Sequence, residues 1–430
     1  MDYTLYIVIF SSVIILSYFF DIYSKKSGIP SVLMLIGLGV ISNVVLNISG
    51  NPIPEEDIYP VLIPLGTVGL IFIVLEAALD LKLLRDRFWM IIKSLLVSSI
   101  GLALTSYISA KMFESLLFDL SFEHALLFTI PLSILSSAII IPSLGSLPEK
   151  RREFMVYESV LSDIVGIVAF YAVLSSSKMV DKADVLPSTI RDLFITVILS
   201  VLFGYFLIYL FQKLKGHAKI YLLIAVLMLL YSLGKYLHLP SLVIVFVFGL
   251  ILNNYSLFFK GKLRGFIDFE KIDSVLHDFK TVTAESAFVI RTFFFVVFGL
   301  SITLSTLFQD WKIILFGVLT LVIIYVVRAF VLLVFHGSIK INSVLPELFL
   351  APRGLITILL FFSIPDEIKQ GFEFGQYFGG VLLFVILFSC LIMTWSLVKE
   401  KKKLEKQEEE DFEIINNESI VVEEEKTEEK

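Results

Sequence analysis

The chain has 430 residues, 57% of them hydrophobic and 18% charged, with a mean hydropathy of +0.89. That composition excludes an ordinary soluble domain and a disordered polymer, and a single cysteine, Cys390, excludes an intrachain disulfide and a multi-cysteine metal site. The formal charge of −6 is local: residues 399–430 hold 13 acidic and 7 basic residues, and the rest of the chain is balanced.

Apolar runs long enough to cross a ~30 Å hydrocarbon core recur along the chain. They predict an all-α polytopic membrane protein with thirteen spans, at about 3–20, 29–48, 59–79, 88–112, 124–145, 154–175, 189–211, 217–235, 240–256, 281–304, 312–335, 345–364 and 373–398. The runs are continuously apolar rather than alternating, which excludes a transmembrane β-barrel. The first, MDYTLYIVIFSSVIILSYFF, lacks a basic leading region and a small-x-small cleavage site, so it reads as a membrane helix rather than a signal peptide. The tail, 399–430, reads as basic membrane-proximal residues followed by an acidic, disordered cytoplasmic extension.

The loops carry a sign pattern. Lys25 and Lys26 follow the first span, and Lys82, Arg85 and Arg87 the third. Lys150, Arg151 and Arg152 follow the fifth, Lys213, Lys215 and Lys219 the seventh, and Lys260, Lys262 and Arg264 the ninth. Lys340 follows the eleventh and Lys401–Lys403 the last, whereas intervening loops such as NPIPEED and IPDEIKQ are acidic or mixed. Basic loops face the cytoplasm, so the N-terminus is expected outside and the C-terminus in the cytoplasm of a cell-membrane protein.

An internal similarity accompanies the count. PSVLMLIGLGVISN, residues 30–43, matches PSLVIVFVFGLILN, residues 240–253, with Pro30/Pro240, Ser31/Ser241, Gly39/Gly249 and Asn43/Asn253 at one offset. The matched spans are the second and ninth, seven crossings apart, and so run in opposite directions. Two inverted six-helix repeats joined by a linking span follow, an architecture of secondary transporters. The fifth and twelfth spans then correspond. Both are interrupted, by Pro131 and Pro142 in one and by Pro346, Pro352 and Gly354 in the other. Proline removes a backbone donor, and two broken helices at matched positions expose half-helix ends near mid-membrane, where free N–H and C=O groups hold ions.

Ionisable residues inside the membrane are costly and mark function. The deep ones are Glu76, Glu158, Asp163, Arg291, Arg328 and Arg353. Glu158 and Asp163 are five apart in YESVLSDIVGIVAFY, about 140° around a helix, so they look in different directions. Ser159 shares a face with Asp163, and Ser162 with Glu158. Arginine stays protonated and grips a carboxylate with two bonds. Glu158 beside Arg328 or Arg353 would therefore be a structural pair, leaving Asp163 to alternate between a neutral acid and a hard oxygen ligand. Ser159, Ser136 and backbone carbonyls of the broken helix supply further oxygens, which suits Na⁺, Li⁺ or K⁺.

At these residues the chain resembles the monovalent cation–proton antiporter superfamily, over residues 1 to about 398. ESVLSDIVGIVAF is similar to its E-S-x-x-N-D motif, with Glu158, Ser159 and Asp163 in register. APRGLITILLF is similar to its G-x-R-G helix through Arg353 and Gly354, VVRAF places Arg328 at another intramembrane arginine, and LEAALDLK resembles the end of its third span. The resemblance implies H⁺ exchange for a monovalent cation by alternating access. Asp163 would be the shared, transient cation and proton site, with Ser159, Ser136 and Leu135 nearby, and Glu158 would pair with an arginine. It also implies a homodimer in which core helices (about 88–175 and 312–398) carry a crossed broken pair and slide against dimerisation helices (about 1–80 and 217–304).

Two departures accompany the match. Ser162 precedes the aspartate where Asn or a second Asp is usual, and Leu135, Ser136 and Ser137 stand where many members carry T-D-P. A single titrating aspartate favours electroneutral exchange. Glu76 could supply a second carboxylate, with Ser162 and Arg291 as further accessory residues. No Gly-rich phosphate loop and no His/Cys ligand cluster occurs, so no cofactor or nucleic-acid partner is expected and the chain is not read as an enzyme. An intramembrane aspartyl protease is excluded for want of any Gly-Asp dipeptide. The competing function is a cation-coupled symporter or a non-transporting sensor on the same fold.

Overall fold

The computed structural model describes residues 3–27, 29–50, 53–83, 87–117, 120–176, 185–211, 219–237, 239–259, 268–302, 310–337, 340–371 and 377–428. Of the loop cations named above, Arg85, Lys213, Lys215, Lys260, Lys262 and Arg264 lie outside them, as do the expected span ends at 217, 304 and 373. Among the described residues there is no strand, and nine helices are long and apolar enough to cross a membrane.

In chain order the helices are α1 Tyr3–Ser27, α2 Ser31–Ile48, α3 Glu55–Asp80, α4 Phe88–Leu116, α5 Phe122–Ser133, α6 Ser137–Ser143, α7 Glu149–Ser176 and α8 Val185–Phe211. They continue as α9 Lys219–Tyr236, α10 Ser241–Asn253, α11 Tyr255–Phe258, α12 Phe269–Ser301, α13 Trp311–His336, α14 Leu355–Phe362, α15 Asp366–Gln370 and α16 Phe378–Glu428.

Two helices differ from the sequence expectation in length. α12 starts at Phe269, twelve residues before the expected 281, because Asp268 caps it by accepting from the Lys271 amide at 3.4 Å. The added turns, FEKIDSVLHDFK, are too charged to register as an apolar run, and Asp273 within them accepts from the Tyr255 hydroxyl at 2.7 Å. The tail is also a correction. In place of a disordered extension, α16 runs unbroken to Glu428, through a segment dominated by Glu and Lys, both strong helix formers.

The helices pack in two groups. α2 and α3 lie against α12, and α10 against α3, α8 and α9; elsewhere α4 packs on α5, α7 and α13, and α13 on α16. α14 and α7 bridge them, α14 touching α3 and α7 touching α8. The residues repeated between α2 and α10 perform matched work. A Cβ on Gly39 would meet the Val296 carbonyl oxygen and, at 2.7 Å, the Cα of Gly299, so only glycine lets α2 and α12 approach this closely. A Cβ on Gly249 would meet the Ala78 Cβ at 2.7 Å, where α10 crosses α3. Asn43 donates to the Leu300 carbonyl at the end of α12, and Asn253 to the Leu81 carbonyl at the end of α3, at 2.8 Å. Each asparagine thus satisfies a terminal carbonyl that a helix cannot satisfy for itself.

Candidate functional site

The two proline-bearing spans are both broken, and the breaks meet. α5 ends at Ser133 and α6 begins at Ser137, leaving Ile134–Ser136 extended between them. In the other span, a short turn at Ile341–Val344 leads into non-helical chain through Gly354, and only Leu355–Phe362 is helical. The interruption expected at Pro346, Pro352 and Gly354 is present, and it takes the first half of 345–364 out of the helix: Pro346 and Pro352 have no N–H to give, and the helix begins only beyond them.

Breaking a helix in an apolar interior frees amides and carbonyls that must find partners. Here each half supplies the other. The Ser136 amide donates to the Pro352 carbonyl at 3.0 Å, and the Thr357 hydroxyl to the Pro131 carbonyl at 2.9 Å. Arg353 Nη1 donates to the Ile134 carbonyl at 3.0 Å, beyond the negative end of α5, where a cation is favoured. The Leu135 amide donates to Ser162 Oγ of α7 at 3.1 Å, and the Arg353 amide to Ser389 Oγ of α16 at 3.0 Å. A Cβ on Gly354 would collide with the Ser136 hydroxyl, so glycine permits the crossing.

α7 passes beside this crossing and presents its two carboxylates to different surroundings. Glu158, 1% exposed, receives two bonds from Arg328, Nη1 to Oε1 at 2.6 Å and Nη2 to Oε2 at 3.1 Å. Arg328 Nε donates to the Glu347 carbonyl at 3.0 Å, and the Glu347 carboxylate lies 3.4 Å from Arg151. Asp163, 2% exposed, faces the other way. Its Oδ1 has no hydrogen-bond partner, and the hydroxyl and backbone amide of Ser137, the first residue of α6, lie close to its carboxylate.

The other expected residues fall into three groups. Arg328, not Arg353, is the partner of Glu158; Arg353 is held by the broken helices and its Nε is unpartnered. The Ser159 hydroxyl donates to the Val156 carbonyl of its own helix at 3.2 Å, the Ser136 hydroxyl abuts Gly354, and the Leu135 amide is taken by Ser162. Glu76 of α3 and Arg291 of α12 approach to 4.0 Å. Ser137 and Glu347 were not among the expected site residues. The signal for Ser137 was its place in the break; for Glu347 it was an acid beside Pro346 inside a span.

Cavities approach the crossing from two sides. One of about 210 Å³ is lined by Asp21, Glu76, Asp80 and Arg291 and reaches Ser137, the residue beside Asp163. It lies where α1, α3 and α6 end, which is also where α16 leaves the bundle, since Lys401 Nζ donates to the Lys26 carbonyl. A water needs roughly 10–15 Å³ of such space, so this vestibule has room for several. A smaller one, about 70 Å³, lies near the opposite ends of α7, α9 and α14 and is lined by Tyr171, Tyr231, Lys235 and Ser363.

Comparison with known proteins matches this geometry. The family model described as sodium/hydrogen exchanger, transmembrane, matches residues 10–399. The fold is similar to that of the sodium proton antiporter MjNhaP1 from Methanocaldococcus jannaschii at pH 8, with a TM-score of 0.70 and 20% identity over 94% of this chain and 99% of that one. A three-dimensional electron-microscopy map of the same antiporter gives a TM-score of 0.70 and 20% identity, over 94% and 98% of the two chains. No curated protein sequence matches. A family match over nearly the whole chain, joined to two broken helices that cross beside a buried carboxylate, places this multi-pass membrane protein in the sodium/hydrogen exchanger family.

Proposed function

We propose that the chain is a secondary antiporter that exchanges H⁺ for Na⁺ across the cell membrane, with Asp163 as the shared site. The observation that carries this reading is the contrast on α7. Glu158 is fully engaged by Arg328, whereas Asp163, equally buried, keeps an oxygen without a partner at the crossing of two broken helices. A buried carboxylate in that state needs either a proton or a cation. The Ser137 hydroxyl can supply the cation a further oxygen, and the waters of the vestibule bring it in.

Exchange follows from competition. Asp163 crosses loaded with either H⁺ or one monovalent cation, and the empty ionised site is too costly in an apolar surround to cross often. One carboxylate and one cation make the cycle electroneutral. Glu158 with Arg328, and Arg353 with the Ile134 carbonyl, hold the crossing in register throughout. Li⁺ and K⁺ are the alternative cations.

The same reading assigns the α4–α7, α13, α14 and α16 group as the moving core and the α2, α3, α10 and α12 group as the scaffold of a homodimer. The matched work of Gly39 and Gly249, and of Asn43 and Asn253, supports two inverted repeats within thirteen spans. The basic loops support a cytoplasmic C-terminus, which makes the large vestibule the inward mouth.

The test is pH-dye fluorescence in proteoliposomes with NaCl, KCl and LiCl added in turn, wild type beside Asp163→Asn. Cation-driven proton movement that is lost in a folded Asp163→Asn protein is expected. Retained exchange in that variant would refute the site, and no proton movement with any cation in the wild type would favour a symporter or a sensor.

A further inference from the structure

Among the described residues, two arginine–carboxylate pairs join one long membrane helix to another, Arg328 of α13 to Glu158 of α7 and Arg291 of α12 to Glu76 of α3, and they are built differently. Arg328 and Glu158 are closed together, buried at 8% and 1% side-chain exposure, with contacts down to 2.6 Å. Arg291 and Glu76 are 4.0 Å apart and reachable by solvent, at 14% and 26% exposure. A locked guanidinium–carboxylate pair closes to about 2.7–2.9 Å. The Arg291–Glu76 pair is therefore attracted but not locked, and both side chains line the cavity that reaches Ser137.

Three carboxylates, Asp21, Glu76 and Asp80, and one guanidinium line that cavity. Glu76 and Asp80 are four apart on α3, so they share a face and stand about 6 Å apart along the helix axis. The arrangement is a short acidic ladder leading from the vestibule wall to the residue beside Asp163, with a fixed cation set against its inner rung. We propose that Arg291 is a tethered competitor for the transported cation: it neutralises Glu76 when the vestibule is empty, and an arriving monovalent cation displaces it from Glu76 on the way to Asp163.

The physical logic concerns release as much as capture. Two carboxylates on one wetted face would hold a cation, and a divalent one above all, too firmly to pass it on. A path conducts only when each site is favourable enough to enter and weak enough to leave. Arg291 supplies the weakness, because its return to Glu76 ejects the ion. The long separation and the partial exposure are what a side chain needs if it is to let go and return without unfolding its surroundings. The role rests on the Asp163 reading given under Proposed function and adds a selectivity device to it.

The experiment is Na⁺-driven proton movement in proteoliposomes, with KM and maximal rate for Na⁺ measured in wild type, Arg291→Gln, Arg291→Lys, Glu76→Gln and the Glu76→Gln/Arg291→Gln double variant, and with Mg²⁺ added as an inhibitor. Arg291→Gln is expected to lower KM at least threefold, to lower the maximal rate, and to make transport sensitive to Mg²⁺. Arg291→Lys, which keeps the positive charge, should keep transport insensitive to Mg²⁺. In the double variant KM should return to that of Glu76→Gln alone, since the competitor has nothing left to guard. A folded Arg291→Gln protein with unchanged or raised KM and no Mg²⁺ sensitivity overturns the proposal. If Arg291→Gln does not fold, the proposal stands or falls on Glu76→Gln, in which a KM for Na⁺ equal to wild type overturns it. Absence of Na⁺-driven proton movement in the wild type would instead overturn the antiport reading, so the two failures are distinguishable.

Discussion

Replacing Glu158 by Gln isolates the energy of the buried pair. The side chain keeps its shape, but one of the two bonds from Arg328, those at 2.6 and 3.1 Å, must give way, because an amide NH₂ would face a guanidinium. Arg328, 8% exposed, is then a buried cation held by neutral oxygens alone, the Glu347 carbonyl and the one amide oxygen of the new side chain. Removing one member of such a pair costs about 3–5 kcal/mol. For 430 residues, an unfolding entropy of roughly 2.1 cal/mol/K per residue converts that to a fall in melting temperature of about 3–6 °C. The assay is thermal melting of the purified protein in detergent, for Glu158→Gln, Arg328→Gln and the double variant. The double variant should be less destabilised than the sum of the singles, because a neutral pair leaves no charge stranded. Melting within 1 °C of wild type for both single variants, or strict additivity in the double, would refute the reasoning. Loss of exchange with unchanged melting would move Glu158 from scaffold to transport.

Three further outcomes follow from the same geometry. Asp163→Asn removes a carboxylate whose Oδ1 has no partner, so it should abolish exchange while melting stays within 1 °C of wild type or rises; a fall of more than 3 °C would give Asp163 a structural role. Ser137→Ala deletes the hydroxyl nearest that carboxylate but keeps the amide. The loss of one bond worth about 0.5–1.5 kcal/mol should raise KM for the cation about 2–13-fold at near-normal melting. In Gly299→Ala the new Cβ meets the Ile36 carbonyl oxygen and, at 2.9 Å, the Gly39 Cα. α2 and α12 must then separate, at a cost of about 1–3 kcal/mol; unchanged melting would show that this contact yields freely.

The sequence determined whatever depends on neighbours along the chain. Hydropathy runs located the membrane helices, since a hydrocarbon core demands about 20 apolar residues wherever a helix crosses it. Proline positions marked both interrupted spans, because the missing N–H acts on its own turn. The five-residue spacing of Glu158 and Asp163 dictated that they face apart, since helical angle is a local property. Where a local rule fell short, another local property was at work: the charged first turns of α12 and the Glu- and Lys-rich tail are helical without being apolar runs.

Only the tertiary structure could choose among chemically equivalent partners. Arg328 and Arg353 are the same residue type in neighbouring spans, and Arg328 meets Glu158 across 170 residues of chain because α13 and α7 both pack on α4. Arg353 is diverted to the Ile134 carbonyl by the crossing of the two broken helices. Ser137 rather than Ser136 reaches Asp163 because the chain is extended through Ile134–Ser136 and becomes helical one residue later. Burial makes such choices binding: inside the membrane a polar group without a partner costs more than a rearranged backbone, so the partners are settled by packing, and packing is a property of the whole chain.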